Sequence, residues 1–226
     1  MNSDPMQAGY AAQGGAVVAS TNKLIRNTYT LLSMTLIFSA VMAAVSVFMN
    51  MPMMTYIICI VAAIALMWFV LPKTQDSAMG LVTVFAITGL MGFGLGPVLS
   101  NYLALPNGPN IVGTAFGGTG VIFLGLSGYA LVSRKDFSFM GGFLFAGMLM
   151  VFVAVIANIF LAMPALSLAI SGVIIMIMSG FILFDTSRMI NGGETNYLRA
   201  TIGLYLSIFN IFVALLQILG IMGGDD

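Results

Sequence analysis

Residues 196–220 read NYLRATIGLYLSIFNIFVALLQILG. Beyond Arg199 this run holds no charge. At about 1.5 Å of rise per residue it is long enough to cross a hydrocarbon layer of about 30 Å. Within it Ala200, Gly203, Ser207, Asn210, Ala214 and Gln217 recur at alternating spacings of three and four, the period of one helix face. Apart from Thr201 and Tyr205, the small and polar residues of the helix core share that stripe. Polar side chains inside a membrane turn toward other helices, where partners exist. The run therefore predicts a membrane-spanning helix whose stripe faces the interior of a helical bundle. Large apolar residues on its other faces predict that neighbours surround much of it.

The same reading carried outward finds seven such stretches, near 30–49, 53–71, 79–103, 111–132, 138–161, 165–190 and 196–220. Short connections rich in Pro, Gly and Asn separate them, among them Asn50-Met51-Pro52, the Pro-Asn-Gly-Pro turn at 106–109, Pro164 and Asn191-Gly192-Gly193. The expected fold is an all-α integral membrane protein, a bundle of seven helices. Composition agrees: 60% of the 226 residues are apolar, only 6% are charged, and the mean hydropathy is +1.09. A soluble domain carries about 25% charged residues.

Seven Lys or Arg balance seven Asp or Glu, so the net charge of zero offers no pull on nucleic acid. The position of the charges is informative. Lys23, Arg26, Lys73, Arg134, Lys135, Arg188 and Arg199 all fall on one side of the seven-span topology, and the opposite loops carry none. The positive-inside rule then expects a cytoplasmic N-terminus, and an odd number of spans puts the C-terminus, with Asp225 and Asp226, outside. Residues 1–28 form the expected N-terminal tail and 29–222 the membrane domain. The first 22 residues, rich in Gly, Ala, Gln and Ser with Asp4 as the one charge, read as a disordered cytoplasmic segment rather than a cleaved signal peptide.

Several chemistries drop out on residue types. The chain has no His and one Cys, Cys59, which removes His-ligated metals, Ser-His and Cys-His catalysis, and an internal disulfide. Retinal needs a lysine within a span, and Lys23, Lys73 and Lys135 all flank spans. Intramembrane aspartyl proteolysis needs two buried Asp, and only Asp185 lies well inside a span. The chain is not expected to be an enzyme, and no cofactor is expected. The 19 Met and 17 Phe read as filler for core and lipid faces.

Asp185 stands in Ile-Leu-Phe-Asp-Thr-Ser-Arg, about 8 Å from the end of a helix that reaches Ile190. Charge within a span is costly and marks a functional candidate. Arg188, three residues on, can reach back to it, so the plainer reading is an Asp185–Arg188 ion pair at the interface. Glu194 follows the Gly192-Gly193 turn. At the membrane surface it would favour the start of the last helix as an N-terminal charge. Gly89, Gly92, Gly96 and Pro97 in the third span, and the Gly113/Gly117 pair in the fourth, predict close helix packing; Pro97 with Gly94 is a candidate kink.

Phe184-Asp185-Thr186-Ser187, Gly192-Gly193-Glu194-Thr195-Asn196-Tyr197 and Leu204-Tyr205-Leu206-Ser207-Ile208-Phe209-Asn210 together resemble the Bax inhibitor family. Leu95-Gly96-Pro97 and Leu24-Ile25-Arg26-Asn27-Thr28-Tyr29 are similar too, so the resemblance covers about 23–220. It implies a seven-helix bundle with the last helix central, set in a bacterial inner membrane. It also implies two activities. One is a regulatory protein that binds and restrains the FtsH membrane protease complex. The other is a pH-modulated calcium or cation leak built on two aspartates in the last two spans. The first aspartate corresponds to Asp185, with a calcium contact there. The second position holds Ser207, near Asn210, so the pair is broken. A serine cannot share a proton with Asp185 as a second carboxylate would, which favours the regulator.

Overall fold

The computed structural model describes residues 5–223, with side chains from residue 19 onward. Among these are seven helices long and apolar enough to cross a membrane, and no strand. They are α1 (Pro5–Phe48), α2 (Met54–Thr74), α3 (Ala78–Leu103), α4 (Gly108–Ser133), α5 (Gly141–Leu161, preceded by a 3₁₀ turn at Ser138–Met140), α6 (Pro164–Ile190) and α7 (Tyr197–Met222). From α2 onward the ends fall within a few residues of the expected ones. Pro lies in the first turn of α4 and α6, where its missing N–H costs no helix bond.

Helix α1 differs. Its apolar, membrane-length part is Ala19–Phe48, earlier than the expected start near 30. Residues 19–28, counted with the tail on sequence, are helical and docked. Thr28 is fully buried, and Leu24 and Ile25 lie against the core, while Lys23 and Arg26 stay exposed on the other side. The apolar face of these turns is too narrow to register in a hydropathy average. The expectations for residues 1–4, and for Asp225 and Asp226, lie outside the described residues.

Helix α2 contains a π turn at Leu66–Val70. The Leu71 N–H reaches back to the Leu66 carbonyl, and Pro72 follows. Proline has no N–H to offer the carbonyl four residues before it, and its ring crowds that carbonyl. The wider turn absorbs the conflict.

Two helices share the centre. Half of the apolar window of α7 and 56% of that of α3 are buried, against 11% for α5. Helix α7 packs on α1, α3, α4 and α6. The stripe faces α6: the Ser171 hydroxyl donates to Gln217 Oε1 at 2.8 Å, and Gly203 lies against Asp185. Leu204, Ile211 and Leu216, on the other faces, are fully buried. The two residues left off the stripe are buried too. Tyr205 Oη meets Ser39 Oγ of α1 at 2.6 Å and donates to the Thr88 carbonyl of α3 at 3.2 Å. The Thr201 hydroxyl donates to the Thr28 carbonyl at 3.3 Å.

The glycines of α3 are packing sites. A Cβ on Gly92 would collide with the Ser39 carbonyl, and one on Gly96 with Ser46. One on Gly89 would stand 2.7 Å from the Phe38 ring, and one on Gly94 2.8 Å from Cys59 Cβ of α2. The helix continues unbroken through Pro97, so Pro97 and Gly94 do not divide it. The Gly113/Gly117 pair of α4 behaves otherwise: nothing lies within 4 Å of a Cβ at either. The face of α4 turned to the bundle holds Ile111, Ala115, Thr119, Ser127 and Ala130 instead. Among the described residues, therefore, the expected close approach at Gly113 and Gly117 is not made.

Candidate functional site

The site is built where α6 ends and α7 begins. Gly192 takes φ +80°, a left-handed conformation that glycine adopts without strain, and it turns the chain after α6. The Glu194 N–H then closes on the Arg188 carbonyl at 3.1 Å. This loop carries Glu194 inward, where it is 9% exposed, rather than leaving it on the surface as expected. Its Oε1 accepts from the Thr195 and Asn196 N–H groups at 2.9 Å each, in the loop just ahead of α7. The cap of α7 itself is Asn196, whose Oδ1 accepts from Leu198 and Arg199 N–H at 2.9 and 3.3 Å. The Asn196 amide also donates to the Gln75 carbonyl and to Asp76 Oδ1, tying the loop between α2 and α3 to the start of α7.

Both arginines of this end converge on Glu194. Arg199 lies 3.4 Å from Oε1 and Arg188 3.7 Å from Oε2. Arg188 also donates to the Gly193 carbonyl at 2.7 Å and lies over the Phe184 ring, 5.4 Å from its centroid. The expected Asp185–Arg188 ion pair does not close within 4.0 Å, although the two charges still act on each other. The guanidinium bends toward the loop, where a carbonyl and a carboxylate meet it together.

A cavity of about 300 Å³ opens between the two helices, lined by Asp185, Arg188, Glu194, Arg199, Ala200 and Gly203. Its formal charges, two acids and two bases, cancel. Asp185 lies at the level of Gly203, where a Cβ would stand 2.7 Å from Oδ2. Among the described residues Asp185 makes no hydrogen bond and no ion pair within 4.0 Å. Behind it, Tyr29 Oη bonds Ser127 Oγ and lies 3.4 Å from Thr186 Oγ1, a polar link between α1, α4 and α6.

Of the residues singled out on sequence, Asp185, Arg188 and Glu194 come together here, with Gly192 and Gly193 shaping the turn. Ser207 and Asn210 do not line the cavity. The Ser207 hydroxyl donates to the Gly203 carbonyl at 3.2 Å, and the Asn210 amide to the Leu206 carbonyl at 2.8 Å, so each bonds back to its own helix. Sequence reasoning missed Arg199, Ala200 and Gly203 as cavity walls. The available signal was the stripe membership of Ala200 and Gly203, with Arg199 four residues before Gly203 on the same side of the helix. At the same end, outside the spans, the Ser138 hydroxyl and N–H hold the Asp136 carboxyl below the usual carboxylate range, the N–H at 2.8 Å from Oδ1.

Comparison with known proteins gives one family and many relatives. The family described as "Inhibitor of apoptosis-promoting Bax1" matches residues 21–224. An uncharacterized membrane protein of Vibrio cholerae is 52% identical over 206 residues, covering 91% of this chain and 92% of the relative. The Escherichia coli protein named "Modulator of FtsH protease YccA" is 50% identical over 206 residues, covering 91% and 93%. An uncharacterized Pseudomonas aeruginosa protein is 47% identical over 203 residues, covering 90% and 91%.

Proposed function

The chain belongs to the Bax inhibitor family, and from that premise we propose that it is a regulatory membrane protein that binds and restrains an FtsH-type membrane protease. The observation that carries this reading is 50% identity, across nine-tenths of both chains, to a protein named for modulating that protease. In this reading the protein sits in a bacterial inner membrane, with the basic end of the bundle in the cytoplasm. The segment ahead of the docked turns, residues 1–18, would reach roughly 60 Å if the protease unwound and extended it, long enough to enter an ATPase pore. The bundle behind it, with α1 and α3 in backbone contact, resists extraction. The protease is then occupied without rapid turnover.

The test is affinity capture of the full chain from native membranes, paired with degradation of a membrane substrate by the protease in proteoliposomes. The protease is expected to co-purify, and added protein to slow the substrate's degradation. Deleting residues 2–20 is expected to leave insertion unchanged and to slow the protein's own degradation. Absence of the protease from the captured material, with substrate turnover unaffected, overturns the reading. The alternative, a pH-modulated calcium or cation leak, has one supporting observation, the position of Asp185 in a cavity. Acid-sensitive calcium flux through the unmodified protein in liposomes, lost in Asp185→Asn, would reverse the ranking.

A further inference from the structure

The cavity between α6 and α7 is an ordered arrangement of charge. Along the helix axes Asp185 is the charged group furthest from the α6–α7 loop, level with Gly203. Arg188 stands three residues nearer the helix end, about 4.5 Å along the axis, and its side chain bends further outward to Gly193. Arg199 begins about 6 Å above Gly203 by the same rise. Its side chain is 53% exposed, against 35% for Arg188. Reading inward from the mouth, a visitor meets two guanidinium groups, each beside the Glu194 carboxylate, and then the carboxylate of Asp185.

The donors and acceptors of the cavity are unevenly matched. Glu194 is engaged by two backbone N–H groups and two arginines. Asp185, at the inner end, receives no donor. A carboxylate accepts at about four lone-pair positions, so it is the cavity's unfilled acceptor. The arginines, each with five N–H groups, retain donors for an acceptor at the mouth. Ala200 and Gly203 keep the wall between them clear of side chains.

We propose that this cavity binds a zwitterion that carries a primary ammonium a few ångströms from an anionic group. The ammonium sits on Asp185 and the anionic group on Arg188 and Arg199. This is the chemistry of an aminophospholipid headgroup and of its free, water-soluble counterpart. The volume lies at the lower end of the small-ligand range of about 300–1,000 Å³, enough for such a group without its acyl chains. A bare divalent cation fits poorly. It needs 6–8 oxygen ligands, finds one unengaged carboxylate, and must pass two guanidiniums. A bare anion would meet Glu194 and Asp185. A quaternary ammonium has no N–H for Asp185. The inference does not depend on the protease reading, since it concerns what fills the cavity and not what the bundle docks against.

The test uses the full chain in phosphatidylcholine nanodiscs, titrated with phosphoethanolamine, with phosphocholine and inorganic phosphate as controls. A parallel arm compares thermal stability in nanodiscs of phosphatidylcholine alone with those containing phosphatidylethanolamine. Phosphoethanolamine is expected to bind at least tenfold more tightly than phosphocholine or phosphate. Asp185→Asn is expected to abolish that preference, and Arg199→Gln, at a half-exposed position, to weaken phosphoethanolamine at least threefold. Stabilisation by phosphatidylethanolamine with no binding of the free compound assigns the lipid as source; binding of the free compound with no lipid effect assigns the soluble one. Equal behaviour of phosphoethanolamine and phosphocholine, no effect in either arm, or an unaltered preference in both variants overturns the proposal.

Discussion

Helices α3 and α4 are neighbours, both rich in glycine, and they use it in opposite ways. In α3 a methyl group on Gly92 or Gly96 would run into the backbone or hydroxyl of Ser39 or Ser46. In α4 a methyl group on Gly113, Gly117, Gly120, Gly125 or Gly128 would meet nothing within 4 Å. Small residues let helix backbones approach, which is the usual account of Gly-xxx-Gly spacing in membranes. Among the described residues the account fits α3 and fails for these positions of α4. A glycine pattern is permission for contact, and the rotation of the helix decides whether contact is made.

The largest effect that can break this comparison is at Gly92. A Cβ there meets the carbonyl, carbonyl carbon and hydroxyl of Ser39 together, and backbone cannot swing aside as a side-chain tip can. Ser39 is also bonded to Tyr205, so moving α1 strains its link to α7. Gly92→Ala is expected to cost about 3 kcal/mol, the upper part of the overpacking range, and Gly92→Val to prevent accumulation of folded protein. Cys59, the single cysteine, is buried against Gly94, so the rate at which a thiol reagent labels it reports unfolding. Unchanged labelling in Gly92→Ala would remove the claim that α1 and α3 are in backbone contact.

The other side of α7 is spaced by polar groups. Glu194→Ala leaves the Thr195 and Asn196 N–H groups, just ahead of α7, without their acceptor and removes the carboxylate that Arg188 and Arg199 share. The arginines are well solvated, so their share is small. The two lost loop hydrogen bonds dominate, and the expected cost is about 1–2 kcal/mol. The same labelling assay measures it, and a neutral result would mean that Asn196 alone holds the start of α7. Gly203 falls between the two glycine classes. Its Cβ would stand 2.7 Å from Asp185 Oδ2, the end of a flexible side chain. Gly203→Ala is expected to cost about 1 kcal/mol, and much less in an Asp185→Ala background. Equal costs in both backgrounds would show that the two residues are not in contact.

These contrasts mark what could be read from sequence. The seven spans were legible because apolar length and turn residues are properties of composition. The inward stripe of α7 was legible because polar residues in a membrane have one place to go. The rotation of α4 was not: apolar and small residues surround that helix, so nothing in the pattern distinguishes the face bearing Ile111 and Ala115 from the face bearing Gly113 and Gly117. The partner of Arg188 was not legible either. It depends on the loop geometry at Gly192 and Gly193, which brings Glu194 back under the end of α6. Spacing along one helix pointed to Asp185, while the actual acceptors arrive from the next segment.

The smallest expected effect is the most informative about α4. Gly117→Ala adds a methyl group to open space on an exposed face. With no neighbour to displace, what remains is the intrinsic preference of a helix interior for alanine. That preference amounts to about 0.5–1 kcal/mol in water. In a bilayer the unfolded reference already keeps much of its helix, so the expected change is between zero and about 0.5 kcal/mol of stabilisation. Gly117→Leu, which would be ruinous at a filled site, is expected to be equally harmless in detergent-purified protein by Cys59 labelling. The same pair of variants compared in native membranes and in excess detergent then separates two explanations for the glycines of α4. If both variants are neutral in both settings, lipid alone covers that face. If Gly117→Leu is neutral in detergent but lowers the amount of protein in membranes, a helix from outside this chain lies against Gly113 and Gly117 there. If it is destabilising in detergent, α4 is rotated from the orientation described, and the contrast with α3 fails at its root.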